Sequence, residues 1–143
     1  VGAMGVIAIV CVLLLKTAAL ASLSQGLRWR GVLLMPVAGR CALVVSMAVL
    51  PYARPEGGLG TLFYRAQSWA NAAWAILFLV LVGWAVADAA GLTAAAGSFV
   101  LTLVFAAYTY RKIGGATGDT LGAACEIAET VSAVALTVWP PGG

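Results

Sequence analysis

Three of the chain's five carboxylates fall within residues 112–130, in the stretch KIGGATGDTLGAACEIAET. Glu126 and Glu129 follow Asp119 by seven and ten residues, so a helix would present all three within about 80° on one face. Carboxylate oxygens bind divalent metal ions, and glycines let backbone amides come close to a phosphate. The stretch therefore predicts a metal- and phosphate-binding site, with Asp119 as a metal ligand and Glu126 as a second candidate ligand.

The glycines of this stretch surround the predicted start of a helix. Gly114, Gly115 and Gly118 precede or open it, where free N–H groups and the positive end of the helix dipole favour an anion. Two structural alternatives stay open. Asp119 could be only a helix N-cap, and Gly118 with Gly122 could be only a close-packing GxxxG pair.

The composition places the chain among membrane proteins. Hydrophobic residues make up 63% and charged residues 9%, and the mean hydropathy is +1.04, whereas soluble domains carry about 25% charged residues. The chain has no histidine, which excludes a Ser-His-Asp triad, His-ligated zinc and imidazole acid–base chemistry. Chemistry must therefore rest on carboxylates, backbone amides, Arg or Lys, and a metal held by oxygen.

Long apolar blocks predict the fold. Each is close to the roughly 20 residues that a helix needs to cross a membrane. A short break is expected around Asp88 and Gly91. We therefore predict one all-α, polytopic membrane bundle over residues 1–143 with about five transmembrane helices, in the blocks Ala3–Leu23, Gly31–Leu50, Trp69–Ala87, Thr93–Tyr110 and Thr120–Trp139.

The connecting segments predict the orientation. With five spans, the connections 51–68 and 111–119 lie on the same face as the N-terminus, called here the first face. Basic residues are more numerous there than on the second face, so the first face is predicted to be cytoplasmic. The first face carries Arg54, Arg65, Arg111 and Lys112, and the second carries Arg28, Arg30 and Asp88.

Two cations fall inside apolar blocks. Lys16 is close enough to its helix end to extend toward the membrane surface. Arg40 is deeper, so it is predicted to face the bundle interior and to pair with an acid or bind phosphate. Arg54, in PYARPEGGLG (51–60), could bind a phosphate or could simply be a solvated charge. A competing hypothesis is a small transporter or channel subunit in which Lys16, Arg40, Asp119 and Glu126 line a path.

The stretch GGATGDTLGAACEIAE (114–129) resembles the C-terminal signature of cobalamin synthases, the adenosylcobinamide-GDP ribazoletransferases. VGAMGVIAIVCVLLLKTAAL (1–20), PVAGRCAL (36–43) and PYARPEGGLGTLF (51–63) match in the order that this family shows. The resemblance implies a multi-pass transferase of the bacterial inner membrane that acts in cobalamin biosynthesis. Such an enzyme joins α-ribazole, or its 5′-phosphate, to adenosylcobinamide-GDP, releases GMP and requires magnesium.

By position, the resemblance implies a set of site residues and partners. It points to Asp119 and Glu129 as catalytic residues and to Gly115, Thr117, Gly118, Arg40 and Arg54 as substrate- or phosphate-binding residues. Glu126, on the same predicted helix face, is a further candidate catalytic residue. Membrane lipid is expected as a partner and nucleic acid is not, while homo-oligomer formation stays open. The family's upstream DGLxDxxDG-like segment has no match here, so we expect the C-terminal part of a longer enzyme, inactive alone.

Overall fold

The computed structural model describes residues 3–53, Tyr64 and residues 68–139. Over these ranges the chain forms four helices, each long and apolar enough to cross a membrane. The described residues contain no strand beyond one isolated bridge between Tyr52 and Ala116. The prediction of an all-α, polytopic bundle is confirmed. The helices are α1 (Ala3–Ser22), α2 (Gln25–Val49), α3 (Trp69–Ile113) and α4 (Gly118–Thr137).

Helix α3 reverses direction halfway along its length. Its 45 residues contain two with non-helical backbone angles, Ala87 and Asp88, and Asp88 has a φ of 48°. Gly83 and Gly91 lie against each other, and a Cβ on Gly91 would overlap the Gly83 carbonyl. In a straight helix these glycines would be about 12 Å apart. The break expected around Asp88 and Gly91 is confirmed.

The described residues therefore contain four helices, close to the predicted number of about five. The third and fourth predicted blocks are the two arms of α3, because helical hydrogen bonding resumes directly after the reversal. The arms pack closely since both present glycine at the point where they meet.

Small side chains bring α2, α3 and α4 together. Ala38, Ala94 and Ala128 come from these three helices and are almost completely buried. The Ser98 hydroxyl of α3 donates to the Ala128 carbonyl of α4 at 3.0 Å. Small residues at helix interfaces let backbones approach closely, which is how packing stabilises helices that already lie in lipid.

Helix α1 is peripheral to this core. Lys16 and Ala19 are its only buried residues, and most of its other side chains are exposed. It contacts α4 more than α2, so its attachment depends chiefly on one helix.

The two ends of the bundle are distinguished by polar contacts. At one end the Ala116 amide donates to the Pro51 carbonyl at 2.8 Å, and the Ala53 amide donates to the Ala116 carbonyl at 2.9 Å. At the other end Arg30 lies 3.9 Å from Asp88. The segments after α2 and after α3 thus share the first face, as predicted, and Arg30 shares the second face with Asp88. The cytoplasmic assignment stays a prediction.

Candidate functional site

A tight turn joins α3 to α4 at the first face. Gly114 ends α3 with φ 79°, a left-handed conformation that favours glycine, and its amide donates to the Tyr110 carbonyl at 2.9 Å. Gly115 is buried against the segment that follows α2. A Cβ on Gly115 would overlap the Pro51 carbonyl and lie 3.1 Å from the Ala53 amide nitrogen. Glycine here permits the two connecting segments to meet.

The start of α4 is fixed by a reciprocal pair of threonines. Thr117 is the N-cap, and its hydroxyl accepts from the Thr120 amide at 3.3 Å. The Thr120 hydroxyl accepts from the Thr117 amide at 2.8 Å. The interpretation of Asp119 as the N-cap is therefore wrong, because Thr117 occupies that position. The Gly118 and Asp119 amides donate to no atom of the described chain.

The glycines of α4 face open space. No atom of the parts that the structure describes lies within 4 Å of a Cβ built on Gly118 or Gly122. Within the described chain, Gly118 and Gly122 therefore form no close-packing GxxxG contact. Asp119 is exposed beside Gly118, so the first turn of α4 presents two free amides and a carboxylate to the surroundings.

The other two acids bind a cation inside the bundle. Lys16 Nζ lies 2.6 Å from Glu126 Oε2 and 2.7 Å from Glu129 Oε2. The Lys16 side chain is only 9% exposed, so the prediction that it extends to the membrane surface is wrong. Its position on α1, beside α4, lets it neutralise carboxylates that would otherwise be costly in lipid.

Glu129 also packs against α2, which the sequence analysis did not anticipate. The Cys125 thiol donates to Glu129 Oε1 at 3.4 Å. A Cβ on Gly39 would lie 2.6 Å from the same oxygen. Gly39 thus makes room for the carboxylate. The sequence did contain an indication of this close approach, since Gly39 is the only glycine in the middle of α2.

The three acids share a helical face but form two separate groups. Asp119 precedes Glu126 by seven residues, which places it about 10 Å nearer the first face along the helix axis. Among residues 3–53, Tyr64 and 68–139, no group of three His, Cys, Asp or Glu side chains could hold a metal. The ammonium of Lys16 already occupies the space between Glu126 and Glu129.

Magnesium nevertheless fits Asp119 as a single ligand. Magnesium keeps several waters and uses one or two carboxylates together with substrate phosphates. Asp119 is exposed and forms no ion pair within the described chain. Glu126 and Glu129 do not fit this role in the same way because Lys16 occupies them. The magnesium prediction stays a prediction and rests on Asp119.

The two arginines predicted to bind phosphate, Arg40 and Arg54, are not seen at the start of α4 among the described residues. Arg40 is exposed and lines an open groove of about 490 Å³ with Trp74 and Phe78. No carboxylate in the described ranges lies within 4 Å of it, so the prediction that it faces the interior is wrong. Arg54 lies outside the described residues, and the phosphate-binding roles of both arginines stay predictions.

The fold and the site define a multi-pass helical membrane protein with a glycine-rich helix start at one face and an ion cluster within the bundle. The chain belongs to the cobalamin-5-phosphate synthase family, whose model matches residues 1–137. No solved structure shows significant similarity to it.

Several curated proteins named adenosylcobinamide-GDP ribazoletransferase are similar to the chain. The protein from Roseiflexus sp. (strain RS-1) is 42% identical over 145 residues, covering 99% of this chain and 52% of the relative. Those from Desulforamulus reducens and Chlorobaculum parvum are 39% and 33% identical, over 91% and 99% of this chain and 52% and 57% of the relatives. The chain thus spans about half the length of the relatives it matches.

Proposed function

We propose that this chain forms part of a membrane transferase that joins α-ribazole, or its 5′-phosphate, to adenosylcobinamide-GDP and releases GMP. The observation that carries the proposal is the exposed start of α4 in a member of this family. There the free Gly118 and Asp119 amides and the Asp119 carboxylate lie together at the first face. The curated relatives carry the name of this activity.

The electrostatics of the α4 start suit a metal-bound diphosphate. Amide N–H groups at a helix N-terminus attract phosphate oxygens, but the neighbouring Asp119 carboxylate repels them. The two preferences are reconciled when a divalent cation lies between the carboxylate and the phosphate. Magnesium bound there would neutralise charge on the diphosphate during its cleavage.

The chain's own residues would fix the geometry of this site. The Thr117–Thr120 pair sets the direction of the first turn of α4, so the Gly118 and Asp119 amides would be available to a phosphate bound at this helix start. Gly115 anchors the same turn against the segment after α2. Glu126 and Glu129, the predicted candidates for the general base, lie farther from the first face than Asp119 and are bound by Lys16. A role for them in proton transfer stays part of the proposal.

The proposal also assigns the first face to the cytoplasm and the protein to the inner membrane. Its supports are the four basic residues in the first-face connections of the sequence and the cytoplasmic supply of nucleotides. The transporter alternative is not favoured, because Lys16 and two acids bind one another rather than line a path and the chain belongs to a synthase family.

Replacement of Asp119 by asparagine tests the proposal. Asparagine keeps the size of the side chain and leaves the Thr117 cap in place, but it cannot neutralise a metal ion. We expect GMP release from adenosylcobinamide-GDP and α-ribazole to fall about 100-fold, or ~2.7 kcal/mol in activation free energy. Because the chain is expected to be inactive alone, the assay uses membranes from cells that produce it as part of a full-length synthase, over a range of magnesium concentrations.

Asp88→Asn is the matched control. Asp88 is also an exposed acid, but it lies at the second face, and asparagine tolerates its positive φ. Its variant should release GMP at the normal rate. If Asp119→Asn retained normal activity with an unchanged magnesium requirement, Asp119 would have no part in the reaction.

A further inference from the structure

The outer side of the α1–α4 pair carries an apolar groove with a charge in it. The groove has a volume of about 390 Å³ and is lined by Ile9, Leu13, Ala123 and Ile127 among others. Glu126 contributes to the same lining and its side chain is 51% exposed. A carboxylate is therefore presented to an otherwise apolar surface within the span of two membrane helices.

The ion cluster behind this groove is not electrically balanced. One ammonium, that of Lys16, faces two carboxylates, those of Glu126 and Glu129. No other basic group of the described ranges lies within 4 Å of either acid, and Arg40 lines a different groove. The cluster of Lys16, Glu126 and Glu129 thus carries one net negative charge, and Glu126, the more exposed of the two acids, faces the groove.

Depth makes this imbalance costly. Glu126 follows the first residue of α4 by eight residues, which places it about 12 Å along the helix from the first face. A carboxylate near the centre of a membrane costs about 2.5–3.5 kcal/mol on insertion scales. A cationic side chain from a neighbouring helix would reduce that cost.

Helix α1 leaves the same surface uncovered within the described chain. Only Lys16 and Ala19 of this helix are buried, and apolar residues such as Ile9 and Leu13 are about half exposed. The chain spans only about half the length of its relatives, so those proteins have further residues available to cover this side.

We infer that the α1–α4 groove holds a membrane-spanning helix with a Lys or Arg at the depth of Glu126, supplied by the half of the family's length that this chain does not cover. The apolar walls of the groove accept the helix, and Glu126 accepts hydrogen bonds from its cation. The inference rests on the groove and its charge, so it holds independently of the proposed activity.

Photocrosslinking in native membranes tests the inference. A diazirine side chain at Ile9 reports on the groove, and one at Val104, an exposed position on α3, is the matched control. We expect Ile9 to crosslink to a peptide from an apolar helix that contains Lys or Arg and belongs to the family region outside this chain. Val104 should give lipid adducts.

A second measurement checks the role of the charge. Glu126→Gln keeps the Lys16–Glu129 pair but removes the net negative charge of the cluster. The crosslink from Ile9 should then fall about tenfold, or ~1.4 kcal/mol. Lipid adducts alone at Ile9, a crosslink to a second copy of this chain, or a crosslinked helix without a basic residue would each overturn the inference.

Discussion

Lys16 on α1 and Glu129 on α4 are joined by an ion pair of 2.7 Å across 113 residues of sequence. Glu126 shares the same ammonium at 2.6 Å. Because α1 has few other buried residues, this cluster is its principal polar attachment to the bundle. Electrostatics inside the membrane thus orients a helix that apolar packing alone holds weakly.

Replacing Lys16 with methionine should strongly destabilise the protein. Methionine keeps the length of the side chain but leaves two carboxylates without a cation. Loss of one partner from a buried ion pair typically costs about 3–5 kcal/mol. The free energy of unfolding in detergent would measure the loss.

The matched control for this substitution is Lys112→Met. Lys112 is exposed at the end of α3, so its loss should change stability by less than about 0.5 kcal/mol. A triple variant with Lys16→Met, Glu126→Gln and Glu129→Gln should recover much of the lost stability, because no unpaired charge remains. Equal stability of Lys16→Met and the unmodified protein would show that the cluster does not hold α1.

Replacing Gly39 with alanine should separate α2 from α4. The new Cβ would lie 2.6 Å from Glu129 Oε1 and 2.7 Å from Cys125 Sγ. Overpacking at a close interface costs about 1–3 kcal/mol. Gly122→Ala is the control, since its Cβ meets open space and alanine favours a helix by about 1 kcal/mol. A neutral effect of Gly39→Ala would show that Glu129 can turn away freely.

The membrane fold was predictable because lipid restricts the choice of structure. Each apolar block had the length of a membrane span, and a backbone in lipid must satisfy its own hydrogen bonds. The reversal at Asp88 was also predictable from the interruption of the apolar pattern. The close packing of the two arms of α3 at this reversal was not predictable, because the contact between Gly83 and Gly91 depends on the angle between the arms.

The candidate site was only partly predictable. Helical spacing correctly placed Asp119, Glu126 and Glu129 on one face, but spacing along one helix says nothing of which helix lies opposite. Lys16 was therefore assigned to the membrane surface, although it is the ion that two of these acids bind. Arg40 was assigned to the interior because its sequence position gives its depth along α2. That position does not say which side of α2 packs against the other helices.

Replacing Thr117 with valine should loosen the start of α4. Valine has the same shape but cannot accept the hydrogen bond from the Thr120 amide, and the loss of an N-cap costs about 1 kcal/mol. Hydrogen exchange at the Thr120 amide should accelerate in this variant. Thr117→Ser keeps a hydroxyl and should preserve the slow exchange. Equally fast exchange in Thr117→Ser would show that the cap does not protect this turn.

Replacing Tyr64 with phenylalanine should change the stability of the protein at alkaline pH. The Tyr64 hydroxyl is buried with no hydrogen-bond partner among the described residues, and its ring centroid lies 5.3 Å from that of Tyr52. Burial raises the pKa of the Tyr64 phenol, and the neighbouring Tyr52 raises it further. The folded state therefore disfavours the phenolate more than the unfolded state does.

The sign of the pH effect follows from this raised pKa. The neutral phenol's contribution to stability is complete below the unfolded pKa of about 10 and is lost as the pH rises through the higher folded pKa. Tyr64→Phe should remove this alkaline loss. At pH 7 it should be neutral or stabilising by about 1 kcal/mol, because no buried hydroxyl is left unpaired.

Unfolding in detergent from pH 7 to about 11 would measure both effects, with the exposed Tyr110→Phe as the control. An alkaline loss that is the same in Tyr64→Phe and in the unmodified protein would contradict the assignment to this phenol.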